Sequence, residues 1–134
     1  MKKYIALIAA LFALVSCYKP YVSKVDLGVN DTRVNITWTQ VKEQPLDFVF
    51  PVYSTGAWTA RIVAGGDWLT IDRTSGEGNQ YIKCNAQTNT LDIVRAVRME
   101  VSNGKKTIPV YFVVSSSTLS AADIADAELD NYLI

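Results

Sequence analysis

Ile93-Val94-Arg95-Ala96-Val97-Arg98-Met99-Glu100-Val101-Ser102-Asn103-Gly104-Lys105-Lys106-Thr107-Ile108-Pro109-Val110-Tyr111-Phe112-Val113-Val114 decides the fold. Two runs of alternating side chains, Ile93 to Ser102 and Lys105 to Val114, flank Asn103-Gly104. Asn-Gly between alternating strands is the strongest short-range hairpin signal, because a type I′ turn needs positive φ at both central residues. Across such a hairpin Val97, Met99 and Val101 oppose Ile108, Val110 and Phe112 as core faces.

Upstream the same period of two continues, with turn residues every 8–12 positions, as in an all-β sandwich or barrel. Val34, Ile36 and Trp38 share one face of a strand that Gln44-Pro45 separates from the next, Asp47 to Tyr53. There Phe48 and Phe50 lie on one side, and Pro51 implies an edge strand or a bulge. Ser54-Thr55-Gly56 turns the chain into Ala57 to Val63, with Trp58, Ala60 and Ile62 in phase, and Gly65-Gly66-Asp67 ends it. After Trp68 to Ile71 comes the loop Thr74 to Asn79, with two glycines, and then the strand Gln80 to Ala86. No helix-period stretch interrupts these strands, and βα alternation is absent, which excludes a parallel sheet. The reading is all-β: an antiparallel β-sandwich of about seven strands. Its expected core includes Val34, Ile36, Trp58, Leu69, Ile82, Val97, Val101, Val110 and Phe112.

The ends differ in character. Lys2 and Lys3 precede the apolar run Tyr4 to Val15, so residues 1–16 read as a signal peptide. The run is shorter than the ~20 residues that span a bilayer. Leu14-Val15-Ser16-Cys17 resembles the lipobox of bacterial lipoproteins, which implies lipidation at Cys17. An anchor of two or more acyl chains holds stably where one holds marginally; plain secretion with an ordinary thiol is the alternative. Residues 17–32 then form a lipidated tether, 33–115 the sandwich and 116–134 an acidic tail. In that tail Ser120 is placed to cap a short C-terminal helix over Ala121 to Leu133, whose ragged apolar stripe is Ile124, Leu129 and Leu133. Such a helix either packs on the sandwich or docks a protein partner.

Composition narrows the function. The 134 residues include 13 basic and 13 acidic side chains and no histidine. The balance argues against nucleic acid, which draws on surplus Lys and Arg. Lack of histidine removes the usual general base and the commonest metal ligand. The acids are scattered, and Asp67 and Asp72 around Trp68 read as turn residues. No Asp-x-Asp cluster offers calcium a site. The expectation is no enzyme, no catalytic residues, no metal and no cofactor. With Cys17 lipidated, Cys84 is the remaining thiol, in phase with Ile82 and Ala86 and read as core. Asn30-Asp31-Thr32 and Asn35-Ile36-Thr37 fit the N-glycosylation pattern but are discounted for a bacterial lipoprotein.

Trp58 in Gly56-Ala57-Trp58-Thr59, then Gly66-Asp67-Trp68-Leu69-Thr70-Ile71, Thr74-Ser75-Gly76-Glu77-Gly78, Asn89 and Arg95 together resemble the BACON domain. This is an immunoglobulin-like sandwich of secreted and lipid-anchored Bacteroidetes proteins. The chain departs from its Val-Thr-Gln-like ending, running Tyr111-Phe112-Val113-Val114-Ser115. The resemblance implies a bacterial cell-envelope protein, lipid-anchored at the outer membrane on either face, that binds a host or dietary glycan or mucin or serves as a spacer. An accessory subunit that docks on a membrane complex through its tail is the alternative. A sugar-binding face needs an exposed aromatic ring beside polar groups. Trp38 and Trp58 are in phase with aliphatics and read as core. Trp68, Tyr81 and Tyr111 are the ligand-contact candidates; both tyrosines are out of phase with the core and should face solvent, whereas Trp68 is also open to a core reading.

Overall fold

The computed structural model describes residues 25–134. Cys17, the signal peptide and the first half of the tether lie outside them; the second half is not all tether, since Leu27–Val29 is a strand of the sandwich. In chain order the elements are β1 (Leu27–Val29), β2 (Arg33–Ile36), the one-turn helix α1 (Trp38–Val41), β3 (Leu46–Ser54), β4 (Ala57–Ala64), β5 (Leu69–Ile71), β6 (Ser75–Glu77), β7 (Gln80–Ala86), β8 (Arg95–Ser102) and β9 (Thr107–Val114). Two 3-10 helices, Ala121–Asp123 and Asp126–Tyr132, follow. The strands form a four-stranded sheet, β1-β3-β7-β5, and a five-stranded sheet, β2-β9-β8-β4-β6. Side chains that alternate inward from both sheets make one core, as two packed layers require.

The β8–β9 hairpin pairs Val97 with Phe112, Met99 with Val110 and Val101 with Ile108. All but the half-buried Ile108 are fully buried. The Phe112 ring meets Phe50 edge-on at 5.6 Å and Phe48 at 5.9 Å, joining the sheets. Each such side chain contributes about 1.5–3 kcal/mol by leaving water. Ile36, Trp58, Leu69 and Ile82 are buried as expected, and Val34 is half-buried against them.

The structure corrects several expectations. The hairpin connection is not a two-residue turn: Ser102 pairs with Thr107, and four residues loop between them. The Asn103 side chain sets this length, since its Oδ1 accepts the Lys105 and Lys106 amides at 2.9 and 2.8 Å. Of the two expected positive-φ residues only Gly104 (91°) takes that conformation. The sandwich is not wholly antiparallel, because β2 runs parallel to β9; it enters at the sheet edge from outside the hairpin and needs no βα unit.

Pro51 lies in a strand flanked by two others, yet β1 pairs only with Val52–Ser54, so β3 is an edge on that side at Pro51. Trp38 is not core. The strand stops at Ile36, and Gln40 Oε1 accepts the Thr37 amide at 3.0 Å, closing the turn of α1. Val41 is the buried residue of that turn, while Trp38 is half-buried under the Lys42 ammonium, 5.1 Å from its ring.

The tail is helical but not one α-helix. Ser120 does cap, its side chain accepting the Ala122 amide, and Ile124 then turns extended before the second 3-10 helix. Ala121, Ile124 and Leu129 bury against Val94, Ala96 and Val113 on the outer face of the five-stranded sheet. The chain end adds a parallel bridge between Leu133 and Ala96 and lies over Gly66, where a Cβ would strike the Ile134 backbone. The tail therefore packs on its own sandwich.

Candidate functional site

The period-two pattern sends one set of side chains from β3 and β7 inward and the other set outward on the four-stranded sheet. Register places the outward residues as cross-strand pairs: Pro51 with Tyr81, Val49 with Lys83, and Asp47 with Asn85, with Thr70 of β5 beyond Asn85. Val49 and Tyr81 are 53% and 47% exposed, large values for apolar side chains. Paired residues on adjacent strands sit about 5 Å apart, so Tyr81, Pro51 and Val49 form one apolar patch. Lys83, Asp47 and Asn85 continue it as a polar strip, in which Asn85 Nδ2 donates to Asp47 Oδ1 at 2.7 Å. The Asp72 carboxylate accepts the Lys83 amide at 2.8 Å, a turn role as its position implies. A flat surface with a ring at one end and donors and acceptors at the other is suited to a ligand with an apolar face and a rim of hydroxyls.

The three candidate contacts are not brought together. Tyr81 stands on this face. Trp68 does not contact solvent: it is 3% exposed, in the core, and its Nε1 has no hydrogen-bond partner. It lies in the turn before β5, so it escapes the strand's alternation and both Trp68 and Leu69 point inward. Tyr111 points outward, as its phase predicts, but on the other sheet and under the tail. It is half-buried, and its hydroxyl donates to Asp130 at 2.7 Å. Of the three, Tyr81 is the solvent-exposed one, at 47%. Val49 and Pro51 complete its patch; the signal for Val49 was its phase opposite to Phe48 and Phe50.

The remaining motif residues build the frame. Trp58 is 2% exposed, and its Nε1 donates to Gly78 O at 2.9 Å. Gly76 lies on the Trp58 ring, where any Cβ would overlap it. The Ser-Gly turn is thus the lid of a tryptophan. Asn89 is buried, and its amide nitrogen donates to Ile93 O and Ser115 O at 3.0 Å each, tying the connection after β7 to the end of β9. Arg95 reaches the chain end at Ile134 O. Cys84 is 2% exposed; burial first and the Asp72 charge second push its thiol up to about 12, so it stays protonated and inert. Among the described residues no three His, Cys, Asp or Glu side chains gather as a metal site.

The BACON family model, described as "Putative binding domain, N-terminal", matches residues 57–115, so a BACON domain is found over β4 to β9. No curated protein matches the chain. Among solved structures the chain is similar to a Bacteroides ovatus GH5 xyloglucanase in complex with a XXXG heptasaccharide, at 18% identity and a TM-score of 0.56. The likeness covers 75% of this chain and 20% of the enzyme, so the chain spans about a fifth of that protein. At such identity the similarity is one of fold.

Proposed function

We propose that this chain is a non-catalytic lipoprotein of the bacterial cell envelope whose sandwich binds a glycan, of host, dietary or mucin origin, through the outer face of its four-stranded sheet. The observation that carries the reading is the exposed Tyr81 ring beside Pro51 and Val49, with Lys83, Asp47 and Asn85 in the next registers. The ring stacks on the apolar face of a sugar, and the polar strip meets its hydroxyls. The matched family's description as a binding domain supports this, as does the fold shared with part of a xyloglucanase solved with a heptasaccharide. A glycan array carrying mucin glycans and xyloglucan oligosaccharides, probed with the full chain, should give a signal that falls at least tenfold in Tyr81→Ala. A signal that survives this change, or none from the parent chain, overturns the reading.

Anchoring rests on Leu14-Val15-Ser16-Cys17. Three acyl chains on Cys17 would hold the protein at the outer membrane, with the sandwich, whose first strand is β1, displayed beyond the residues that precede Leu27. Cys17→Ala should leave the precursor uncut and the protein outside the membrane fraction. Retention of that variant after a carbonate wash contradicts the anchor.

A further inference from the structure

The outer face of the five-stranded sheet holds a row fixed by register. Arg33 on β2 is the partner of Tyr111 on β9, which is in turn the partner of Arg98 on β8. Two guanidinium groups therefore flank one ring across three adjacent strands, about 10 Å from first to last. The tail lays two carboxylates along this row. Asp126 pairs with Arg33 at 2.7 Å, while Asp130 accepts the Tyr111 hydroxyl at 2.7 Å and lies 3.5 Å from Arg98. Four residues of 3-10 helix rise about 8 Å, so Asp126 and Asp130 match the span of the row. Leu129 between them is buried in the sheet's apolar strip.

We propose that Arg33, Tyr111 and Arg98 form a binding site for an acidic peptide segment, that the tail is its resident occupant, and that another polypeptide with two carboxylates four residues apart beside a buried leucine can take the tail's place. The site faces away from Tyr81 and does not depend on the glycan reading.

The manner of attachment makes exchange feasible. Among the described residues the tail has one β-bridge to the sheet; the rest of its hold is the buried Ala121, Ile124 and Leu129 and side-chain contacts, and its own 3-10 turns have poorly aligned hydrogen bonds. The carboxylates of its two ion pairs are 87% and 63% exposed, open to water and salt. A pocket of about 220 Å³ stands open between tail and sheet, lined by Thr32, Arg33, Pro109, Tyr111, Asp126 and Leu129. Removing the tail breaks none of the nine-strand ladders. The occupant is a peptide rather than an anionic polysaccharide because the strip under the arginines, Val94, Ala96 and Val113, accepts aliphatic side chains.

The test uses the full chain and a synthetic peptide of residues 119–134. The peptide should bind Asp126→Arg/Asp130→Arg, whose own tail is repelled, at least tenfold more tightly than it binds the parent. Molar salt should weaken this binding, and Arg33→Glu/Arg98→Glu added to that chain should abolish it. A peptide bearing Leu129→Asp should bind at least tenfold more weakly. Equal binding to repelled and parent chains overturns the proposal. So does equal competition by a sulfated polysaccharide and the peptide at matched charge, which would mean a generic anion surface. Should the repelled chain not fold, hydrogen exchange on the parent decides. Amides of 121–133 exchanging at least tenfold faster than those of β8 and β9 support a separable tail, and exchange only together with the sandwich contradicts it.

Discussion

A side chain at position 76 would have nowhere to go. Gly76 lies against the Trp58 ring, so Gly76→Ala forces either the ring or β6 to move. Overpacking of this kind costs about 1–3 kcal/mol. Thermal unfolding of Gly76→Ala should show a melting temperature several degrees below that of the parent; an unchanged value would mean the turn yields freely. The need for this glycine is one of close approach and was not legible from the sequence, where Gly76 and Gly78 looked alike. Gly78 (φ 70°) does supply the positive φ that a two-glycine loop implies. The tryptophans divide in a related way. Trp58 was readable because Ala60 and Ile62 shared its phase; Trp68 was ambiguous because a turn residue has no phase to read. The phase of Tyr111 gives its direction, but direction does not say what lies above a face.

At the scale of elements, local chemistry overrode periodicity where the two met. Val34, Ile36 and Trp38 alternate well enough to imply a longer strand, but the Thr37-x-x-Gln40 spacing supplies a bond that closes a helical turn, and that signal outweighed one more strand residue. The inward faces of β8 and β9 are the same for a two-residue turn as for the observed four-residue loop. Lengthening the loop from two residues to four shifts the register by an even number, so inward residues stay inward. In the tail, a continuous α-helix would set Ile124 and Leu129 about 140° apart, at 100° per residue. Both reach the sheet only because Ile124 is extended between two short helices.

The link to that tail is held by Asp92, itself at φ 52°, which accepts both the amide and the hydroxyl of Ser117. The Ser117 hydroxyl, then its amide, hold the Asp92 carboxyl below its usual value of 3.8. Since the folded pKa is the lower one, this contribution is fully present above the unfolded value and is lost as pH falls through the folded value. The Ser117 amide resonance should therefore stay constant from neutrality to about pH 5 and move below the ordinary carboxylate range. Movement centred at or above pH 4 would show that the bond does not bias Asp92.

On the scale of the whole molecule, the BACON match and the folding unit have different limits. Residues 57–115 hold β4 to β9 but omit β3, which pairs with β7 along seven registers and stands between it and β1. Without residues 27–54 the four-stranded sheet loses half its strands, and Phe112 loses both phenylalanine neighbours. A polypeptide of residues 57–115 alone should lack the cooperative thermal transition of the full chain; a sharp transition at similar temperature would assign β1–β3 a peripheral role. Sequence alone favoured the larger unit, since the alternation begins at Arg33, but it did not reveal how the tail divides the two outer faces. That division is a tertiary fact: the tail packs on one face, and the other presents the exposed Tyr81 and Val49 beside the half-buried Pro51.

Amide and side-chain chemical-shift mapping of the full chain, titrated with the strongest glycan from the array, tests this division of labour most directly. Shifts should be confined to the outer face of β3 and β7, at Val49, Tyr81, Lys83 and Asn85, with Arg33, Arg98 and Tyr111 unmoved. Shifts centred on β8 and β9, or none along β3 and β7 at saturating glycan, would contradict it.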